Sequence, residues 1–227
     1  MTEKLKNIIK DITPPMILRG AKKLIRAKVE HDIYQEDPGE KTPEWYDRTF
    51  EADDHWRSHY TQSPYYFLWT VIVDRIVKAE VDSILEMACG SGQLACLMRD
   101  NGIRTYHGFD FSPVRVAQAS KSCPEFTFTV EDAFRTELFT TYDYRAIVCT
   151  EFLEHVGADL EIISRIKSGT TFYGTVPNFP FVSHVRHFTG EDQVFSRYKP
   201  YFKNLHVDCF LANVDGKTFY LLEGQRV

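Results

Sequence analysis

The sequence lacks the features that mark several common protein classes. Its five cysteines are scattered, odd in number and form no CxxC pair, which argues against a zinc site and against a disulfide framework. No apolar run reaches the roughly 18 residues of a membrane span. The first residues, MTEKLKNIIKDI, show no signal-peptide core. We therefore expect a cytoplasmic protein with reduced thiols.

Positive charge is also scarce. The chain has 27 Lys and Arg against 32 Asp and Glu, which gives a net charge of −5. No global field would attract nucleic acid, so a nucleic-acid partner is not expected. The composition, with 43% hydrophobic and 26% charged residues, is that of an ordinary globular protein. The 227 residues are enough for one sizeable core but are too few for two full domains. One principal domain is therefore predicted.

The first 43 residues are predicted to form a helical extension. Residues 1–12 alternate apolar and charged groups at helical spacing, Pro14 and Pro15 interrupt them, and the pattern resumes over residues 16–29. This second segment is basic, with Arg19, Lys22, Lys23, Arg26 and Lys28. Two hypotheses stay open for it: peripheral contact with a membrane or protein partner, or a solvated amphipathic helix packed on the domain.

Aromatic residues then concentrate between residues 44 and 79. They are Trp45, Tyr46, Phe50, Trp56, Tyr60, Tyr65, Tyr66, Phe67 and Trp69. Ser63-Pro64 predicts an N-cap followed by proline at the first position of a helix that runs to about Lys78.

Beyond residue 80, short apolar runs alternate with helical stretches. Strands are predicted at 82–87, 105–110, 126–130, 144–150, 170–176, 205–213 and 217–223, and helices at 92–101, 113–121, 157–167 and 190–202. Such alternation indicates βαβ units and a mainly parallel sheet. Val214-Asp215-Gly216 predicts a hairpin between the last two strands, so that the sheet ends in an antiparallel pair.

The strongest motif is a buried strand that enters a glycine turn and then a helix. Gly90-x-Gly92-x-x-Ala95 fits the dinucleotide fingerprint GxGxxG/A. Glu86, four residues before Gly90, would face a diphosphate unfavourably. A carboxylate there suits a ligand with a cationic amine and a sulfonium, which is the chemistry of S-adenosylmethionine.

The segment E-M-A-C-G-S-G from Glu86 to Gly92 resembles the first motif, [DE]-x-G-x-G-x-G, of class I S-adenosylmethionine-dependent methyltransferases, with Ala88 where the family usually has glycine. The resemblance covers residues 44–227. It is closest to the ubiquinone-biosynthesis O-methyltransferases, in which the fourth strand also ends in a run like C-T-E-F-L-E-H at 149–155. It implies a Rossmann-like seven-stranded sheet with helices on both faces. Residues 44–79 would form lid helices, and residues 80–227 the core.

The resemblance also implies the cofactor contacts. Asp110 would accept the two ribose hydroxyls, Asp132 the adenine amino group, and Phe111 would supply an apolar wall. The expected cofactor-binding residues are Glu86, Ala88, Gly90, Gly92, Asp110, Phe111, Ser112, Asp132, Ala133, Thr150, Glu151, Tyr60 and Tyr66. Taken singly, Asp110 and Asp132 also fit a helix N-cap or turn.

The acceptor side is predicted from two histidine-bearing segments. Methyl transfer to a hydroxyl requires an aligned lone pair and a group that removes the proton. His155, after the fourth strand, is the first candidate base, and residues 175–188 bring two more histidines to the same edge of the sheet. The predicted catalytic residues are His155, Glu154, His184 and His187. The alternative is that these side chains cap or bond backbone groups.

Metal binding is a further hypothesis. Glu151, Glu154 and His155, with His184 or His187, resemble the Mg²⁺-binding set of small-RNA 2′-O-methyltransferases. The favoured function is nevertheless S-adenosylmethionine-dependent O-methylation of a small-molecule hydroxyl, of the sugar or natural-product type. The alternatives are an amine or an RNA ribose as acceptor, and an NAD-binding oxidoreductase or nucleotide-binding module. The acceptor and the oligomeric state stay open.

Overall fold

The computed structural model describes residues 32–33, 35–212 and 216–227. In this part of the chain no helix is both long and apolar enough to cross a membrane. The two predicted helices at 1–12 and 16–29, with their basic side chains, lie outside the described residues. Their role therefore stays a prediction.

Seven strands form one sheet in the order β3-β2-β1-β4-β5-β7-β6. They are β1 (Ser83–Met87), β2 (Thr105–Asp110), β3 (Thr127–Val130), β4 (Ala146–Cys149), β5 (Thr171–Pro177), β6 (Phe202–Leu211) and β7 (Thr218–Arg226). Strands β1 to β5 pair in parallel, and β7 is antiparallel to both β5 and β6. This confirms the predicted Rossmann-like sheet with its C-terminal antiparallel pair. Of the predicted hairpin turn, residues 213–215 are outside the described part.

Helices lie between the strands and before them. They are α1 (Pro43–Ala52), α2 (Tyr66–Lys78), α3 (Gln93–Asp100), α4 (Pro113–Ser122), α5 (Leu138–Thr141), α6 (Asp159–Arg165) and α7 (Glu191–Tyr198). Short 3₁₀ turns occupy Asp54–Arg57, Tyr60–Gln62 and Lys199–Tyr201. The sequence pattern missed α5, which has four residues and is therefore too short to show helical periodicity.

Helix α2 begins two residues later than the sequence predicts. The Oγ of Ser63 accepts a hydrogen bond from the backbone N–H of Tyr65 at 3.3 Å, which closes a turn around Pro64. The regular helix starts only at Tyr66, after that turn. The Ser-Pro pair therefore marks the turn that leads into the helix rather than the helix cap itself.

The sheet is covered on both faces. Successive strand residues point to opposite sides, so Ile84 packs in one core cluster and Leu85 in the other. Helices α2 and α3 cover the Ile84 face, and α6 and α7 cover the Leu85 face. Burial on both faces explains why the parallel strands are short apolar runs. Consequently the carboxyl ends of β1 to β5 meet along one open edge, where ligands bind in such folds.

Candidate functional site

A cavity of about 980 Å³ opens at this edge of the sheet. Its floor is made by the loops that follow β1 to β4, one wall by the loop that follows β5, and its roof by α1 and the chain that leads to α2. Ligand pockets usually measure roughly 300–1,000 Å³, so there is space here for a nucleoside and a second small molecule.

The glycine turn has two roles: part of its backbone lines the cavity, and part of it packs against a neighbouring helix. Ala88 and Gly90 line the cavity at φ of 57° and 54°. Gly92 does not line it, contrary to prediction. A Cβ on Gly92 would lie 2.9 Å from the Cα and Cβ of Ala119, so this glycine lets α3 and α4 approach closely.

Asp110 links the end of β2 to the glycine turn. Its Oδ2 accepts a hydrogen bond from the N–H of Gly90 at 3.0 Å, and its Oδ1 accepts one from the N–H of Ser112 at 2.9 Å. Burial raises the pKa of Asp110, although the nearby Arg115 opposes this. Ser112 itself is fully buried and lies outside the cavity lining, because its Oγ caps α4 and donates to Asp47 at 2.5 Å.

Glu86 lines the cavity as a nearly solvent-free carboxyl group. It is 2% exposed, and its Oε2 accepts a hydrogen bond from the hydroxyl of Tyr106 at 2.5 Å. Burial raises the pKa of Glu86 to about 8 despite that hydrogen bond. A cation placed beside this carboxyl group would favour its ionised form.

The far end of the cavity is built from the β2 and β3 loops. Asp132 is exposed, and its Oδ1 accepts a hydrogen bond from the N–H of Phe134 at 2.9 Å. Ala133 and Phe111 line the same end, with the Phe111 ring 5.3 Å from the ring of Tyr46 on α1. This leaves a slot between an apolar wall and a carboxylate.

Two histidines, His155 and His184, line the cavity with their ring centres 4.8 Å apart. The Nδ1 of His155 lies 2.9 Å from the carbonyl oxygen of Ser183, and the Nδ1 of His184 lies 3.1 Å from that of Phe179. Because a carbonyl only accepts, each Nδ1 carries the proton, and each Nε2 keeps its lone pair. Burial lowers the pKa of His155 to about 3 and that of His184 to about 4. Both imidazoles are therefore neutral at working pH.

The two glutamates after β4 occupy different places. Glu151 lines the cavity and accepts a hydrogen bond from the Oγ1 of Thr175 at 2.9 Å. Glu154 is fully buried, and its Oε1 lies 3.7 Å from the Nε2 of His155, too far for a hydrogen bond. Burial raises the pKa of both groups, to about 8 for Glu151. Glu154 was predicted to be catalytic, but it does not reach the cavity.

The predicted metal set is assembled differently. Glu154, His155 and His184 each offer a ligand atom, and these atoms lie within 4.8 Å of one another. His187 is exposed and lies outside both this group and the cavity lining, because the chain turns it outward three residues after His184. One carboxylate with two imidazoles suits a borderline cation such as Zn²⁺ better than Mg²⁺.

Two of the predicted lid residues lie outside the cavity lining. The hydroxyl of Tyr60 donates to Asp100 on α3 at 2.8 Å, and the ring of Tyr66 lies 5.9 Å from that of Tyr60. Both side chains therefore serve the contact with α3. The aromatic residues that do line the roof are Trp45, Tyr46, Trp56, Tyr65 and Trp69.

Arg115 is a buried cation in the cavity lining that the sequence pattern does not reveal. Its Nη2 donates to the Oγ1 of Thr49 on α1 at 3.0 Å, and its guanidinium lies 4.5 Å from the ring centre of Trp56. Nothing in the sequence distinguishes it from a solvated arginine in the first turn of a helix. Its burial depends on the lid that covers it.

The lid is also fastened to the glycine turn. The Oγ of Ser91 donates to the carbonyl oxygen of Trp56 at 2.5 Å, and the Nε2 of Gln93 donates to that of His55 at 3.0 Å and of Ser58 at 2.8 Å. Gln93 is the first residue of α3, and Ser91 lies two residues before it. The start of α3 therefore also holds the roof of the cavity in place.

Residues 84–169 match the model of a family described as a methyltransferase domain. None of the curated proteins matches the sequence.

Several solved structures share the fold at low identity. Magnesium protoporphyrin IX methyltransferase (ChlM) from Synechocystis PCC 6803, with bound S-adenosylhomocysteine, is 15% identical; the alignment covers 94% of this chain and 100% of that one, with a TM-score of 0.57. The N-methyltransferase NodS from Bradyrhizobium japonicum WM9, also with S-adenosylhomocysteine, is 12% identical over 88% and 97%, with a TM-score of 0.56.

A third similar structure is the [4+2]-cyclase SpnF, 15% identical over 70% of this chain and 79% of that one, with a TM-score of 0.58. A cyclase on the same architecture shows that the fold alone does not fix the reaction. The family match covers the glycine turn and the next three strands. Residues 84–169 therefore form a methyltransferase domain, and the chain shares its fold with methyltransferases solved with S-adenosylhomocysteine.

Proposed function

We propose that this methyltransferase acts on a hydroxyl group of a small molecule. The observation that supports this most is the environment of His155. Its Nδ1–H is held by the carbonyl of Ser183, its ring is neutral, and it lines the cavity. A neutral imidazole with a free Nε2 can take the proton of a hydroxyl acceptor.

The cofactor is proposed to lie along the loops after β1, β2 and β3. Each oxygen of Asp110 accepts one backbone N–H and keeps a lone pair for a ribose hydroxyl. Glu86 would ionise beside the amine and sulfonium, and Asp132 would accept the adenine amino group. In this placement Glu151 and His155, which both line the cavity, would be on the acceptor side.

The acceptor is proposed to bind among aromatic rings. The Phe179 ring lies 6.0 Å from that of His184 and 5.5 Å from that of Phe219, and the Phe219 ring lies 5.6 Å from that of Tyr65. All four side chains line the cavity. Such walls favour a compact acceptor with an apolar face, which supports a phenol or sugar over an RNA chain.

The reaction is a single displacement. Bound S-adenosylmethionine would supply the methyl group: its sulfur–carbon bond would break as the acceptor oxygen bonds to the carbon, and the electron pair would stay on sulfur to leave S-adenosylhomocysteine. The hydroxyl proton passes to the Nε2 of His155. A weakly basic imidazole is sufficient, because the oxygen becomes acidic as its bond to carbon forms.

The test uses cofactor carrying a ¹³C-labelled methyl group. The protein is incubated with matched panels of phenols, sugars and amines, and the chemical shift of the product methyl distinguishes O-methyl from N-methyl compounds. We expect O-methyl product, and its loss in His155→Gln. Exclusive N-methyl product would overturn the proposal.

A metal-assisted version is the second candidate, favoured by the group Glu154, His155 and His184. The fit is incomplete, since both Glu154 oxygens are buried without a hydrogen-bond partner and lie outside the cavity lining. Full activity after dialysis against a chelator supports the metal-free base. Loss of activity that Zn²⁺ or Mn²⁺ restores supports the metal.

A further inference from the structure

Arg186 grips the loop that carries Glu154 and His155. Its Nη1 donates to the carbonyl oxygens of Leu153 and Val156, the latter at 2.5 Å, and its Nη2 donates to that of Gly157 at 2.8 Å. One guanidinium thus holds three carbonyl groups of a single five-residue turn. Arg186 itself does not line the cavity.

A buried acid fixes the position of that guanidinium. The Oδ1 of Asp159 lies 3.2 Å from the Nη2 of Arg186, and Asp159 is fully buried. Arg197 and Tyr198, both on α7, hold Asp159 in turn, with the Tyr198 hydroxyl donating to its Oδ2 at 2.9 Å. The contact therefore extends from the loop to a helix packed on the sheet.

The backbone just before Arg186 contacts the same loop. The N–H of Val185 donates to the carbonyl oxygen of Glu154 at 2.8 Å, and the carbonyl of Ser183 holds the Nδ1 of His155. We propose that Arg186 is a positioning residue for methyl transfer, which places His155 at the acceptor end of the cavity without contacting either ligand. This inference rests on the proposed role of His155.

A second arginine holds another loop of the cavity in the same way. Arg165 donates from Nη1 to the carbonyl oxygen of Ala133 at 2.7 Å and from Nη2 to that of Thr136 at 2.6 Å. Its loop carries Asp132, at the proposed adenine end. Arg186 and Arg165 hold different loops. We therefore expect a substitution of Arg186 to affect catalysis and a substitution of Arg165 to affect cofactor binding.

Lysine is the informative replacement at both positions. It keeps the positive charge, but its single ammonium group lacks the planar fork that reaches several carbonyl groups at once. A control is Arg226, whose guanidinium also holds backbone carbonyls, among them Ile163 at 2.9 Å and Ser164 at 3.2 Å. Arg226 ends β7 and lies at the edge of the sheet away from the cavity.

The experiment measures kcat at saturating cofactor, the affinity for S-adenosylhomocysteine by calorimetry, and the midpoint of urea unfolding. For Arg186→Lys we expect kcat to fall at least roughly tenfold, as expected for a misplaced catalytic group, with affinity nearly unchanged. Arg165→Lys should weaken affinity and spare kcat. Arg226→Lys should change neither. An unchanged kcat in Arg186→Lys, or an equal loss of affinity, overturns the inference.

The NMR signals of the His155 ring, recorded at one neutral pH, make the inference independent of turnover. If Arg186 holds the loop, Arg186→Lys should shift and broaden these signals, because the ring loses its fixed contact with the carbonyl oxygen of Ser183. Shifted signals with no methyl transfer in the wild type would retain the positioning role and reject the proposed function. Unshifted signals would reject the positioning role.

Discussion

The hydroxyl of Tyr106 on β2 lies 2.5 Å from the Oε2 of Glu86 on the paired strand β1, and both side chains are buried. The tyrosine partly offsets the burial that raises the pKa of Glu86 to about 8. The motif carboxylate is therefore supported by one hydrogen bond from its neighbouring strand.

Tyr106→Phe should weaken cofactor binding near neutral pH. Without the hydroxyl, the pKa of Glu86 rises further, so a larger fraction of the free protein has a protonated Glu86. Cofactor binding must then ionise this group, and the free energy of that ionisation weakens the observed affinity. We expect a loss of roughly tenfold, the equivalent of one pKa unit. Calorimetry with S-adenosylhomocysteine across pH 6 to 9 measures it. The matched control is Tyr144→Phe, whose buried hydroxyl bonds the carbonyl of Phe139. Equal losses in both variants would contradict the assignment of Glu86.

The free energy of unfolding should depend on pH because of the buried acids Glu86 and Glu151. The folded-state pKa of Glu86 and that of Glu151 lie at about 8, above their ordinary unfolded value. The folded protein then binds more protons than the unfolded chain between about pH 4.5 and 8, so these two groups lower stability as pH rises through that window. Glu86→Gln should flatten the slope in urea titrations. An unchanged slope would show that Glu86 is ionised in the apo protein.

The two turn glycines should respond differently to alanine. Gly92→Ala combines a φ of 79° with contacts of 2.9 Å to Ala119, so we expect a loss of about 2–4 kcal/mol in unfolding free energy. Gly90→Ala meets only the Nη1 of Arg115 at 3.8 Å and should cost about 1 kcal/mol. Urea denaturation compares them. Similar losses would mean that α3 and α4 separate more easily than their packing suggests.

Asp110→Asn should impair both folding and binding. The amide keeps one acceptor oxygen where the carboxylate has two, so either the Gly90 or the Ser112 N–H loses its partner. We expect about 1–3 kcal/mol of destabilisation, together with weaker cofactor binding. Thermal melts with and without S-adenosylhomocysteine separate the two effects. Full stability with weakened binding would restrict Asp110 to a ligand contact.

The rate of methyl transfer should not show an acid limb near pH 6.5. Burial lowers the pKa of His155 to about 3 and that of His184 to about 4, so both rings keep their free lone pair well below neutrality. A profile of kcat against pH down to about 5 measures this. Loss of activity with a midpoint near 6.5 would mean that His155 is solvated and is not held as described.

The sequence alone determined the succession of the seven strands and the glycine turn with Glu86 and Asp110, and it indicated the methyltransferase domain that residues 84–169 match. Each of these features depends on residues that are close together in the chain, because their spacing reflects the local backbone geometry. Only the tertiary structure decided which side chains share the cavity. Gly92 packs and Tyr60 faces α3, whereas Arg115 is buried under the lid. Burial and charge environment arise between segments far apart in sequence, and the sequence pattern carries no measure of those distances.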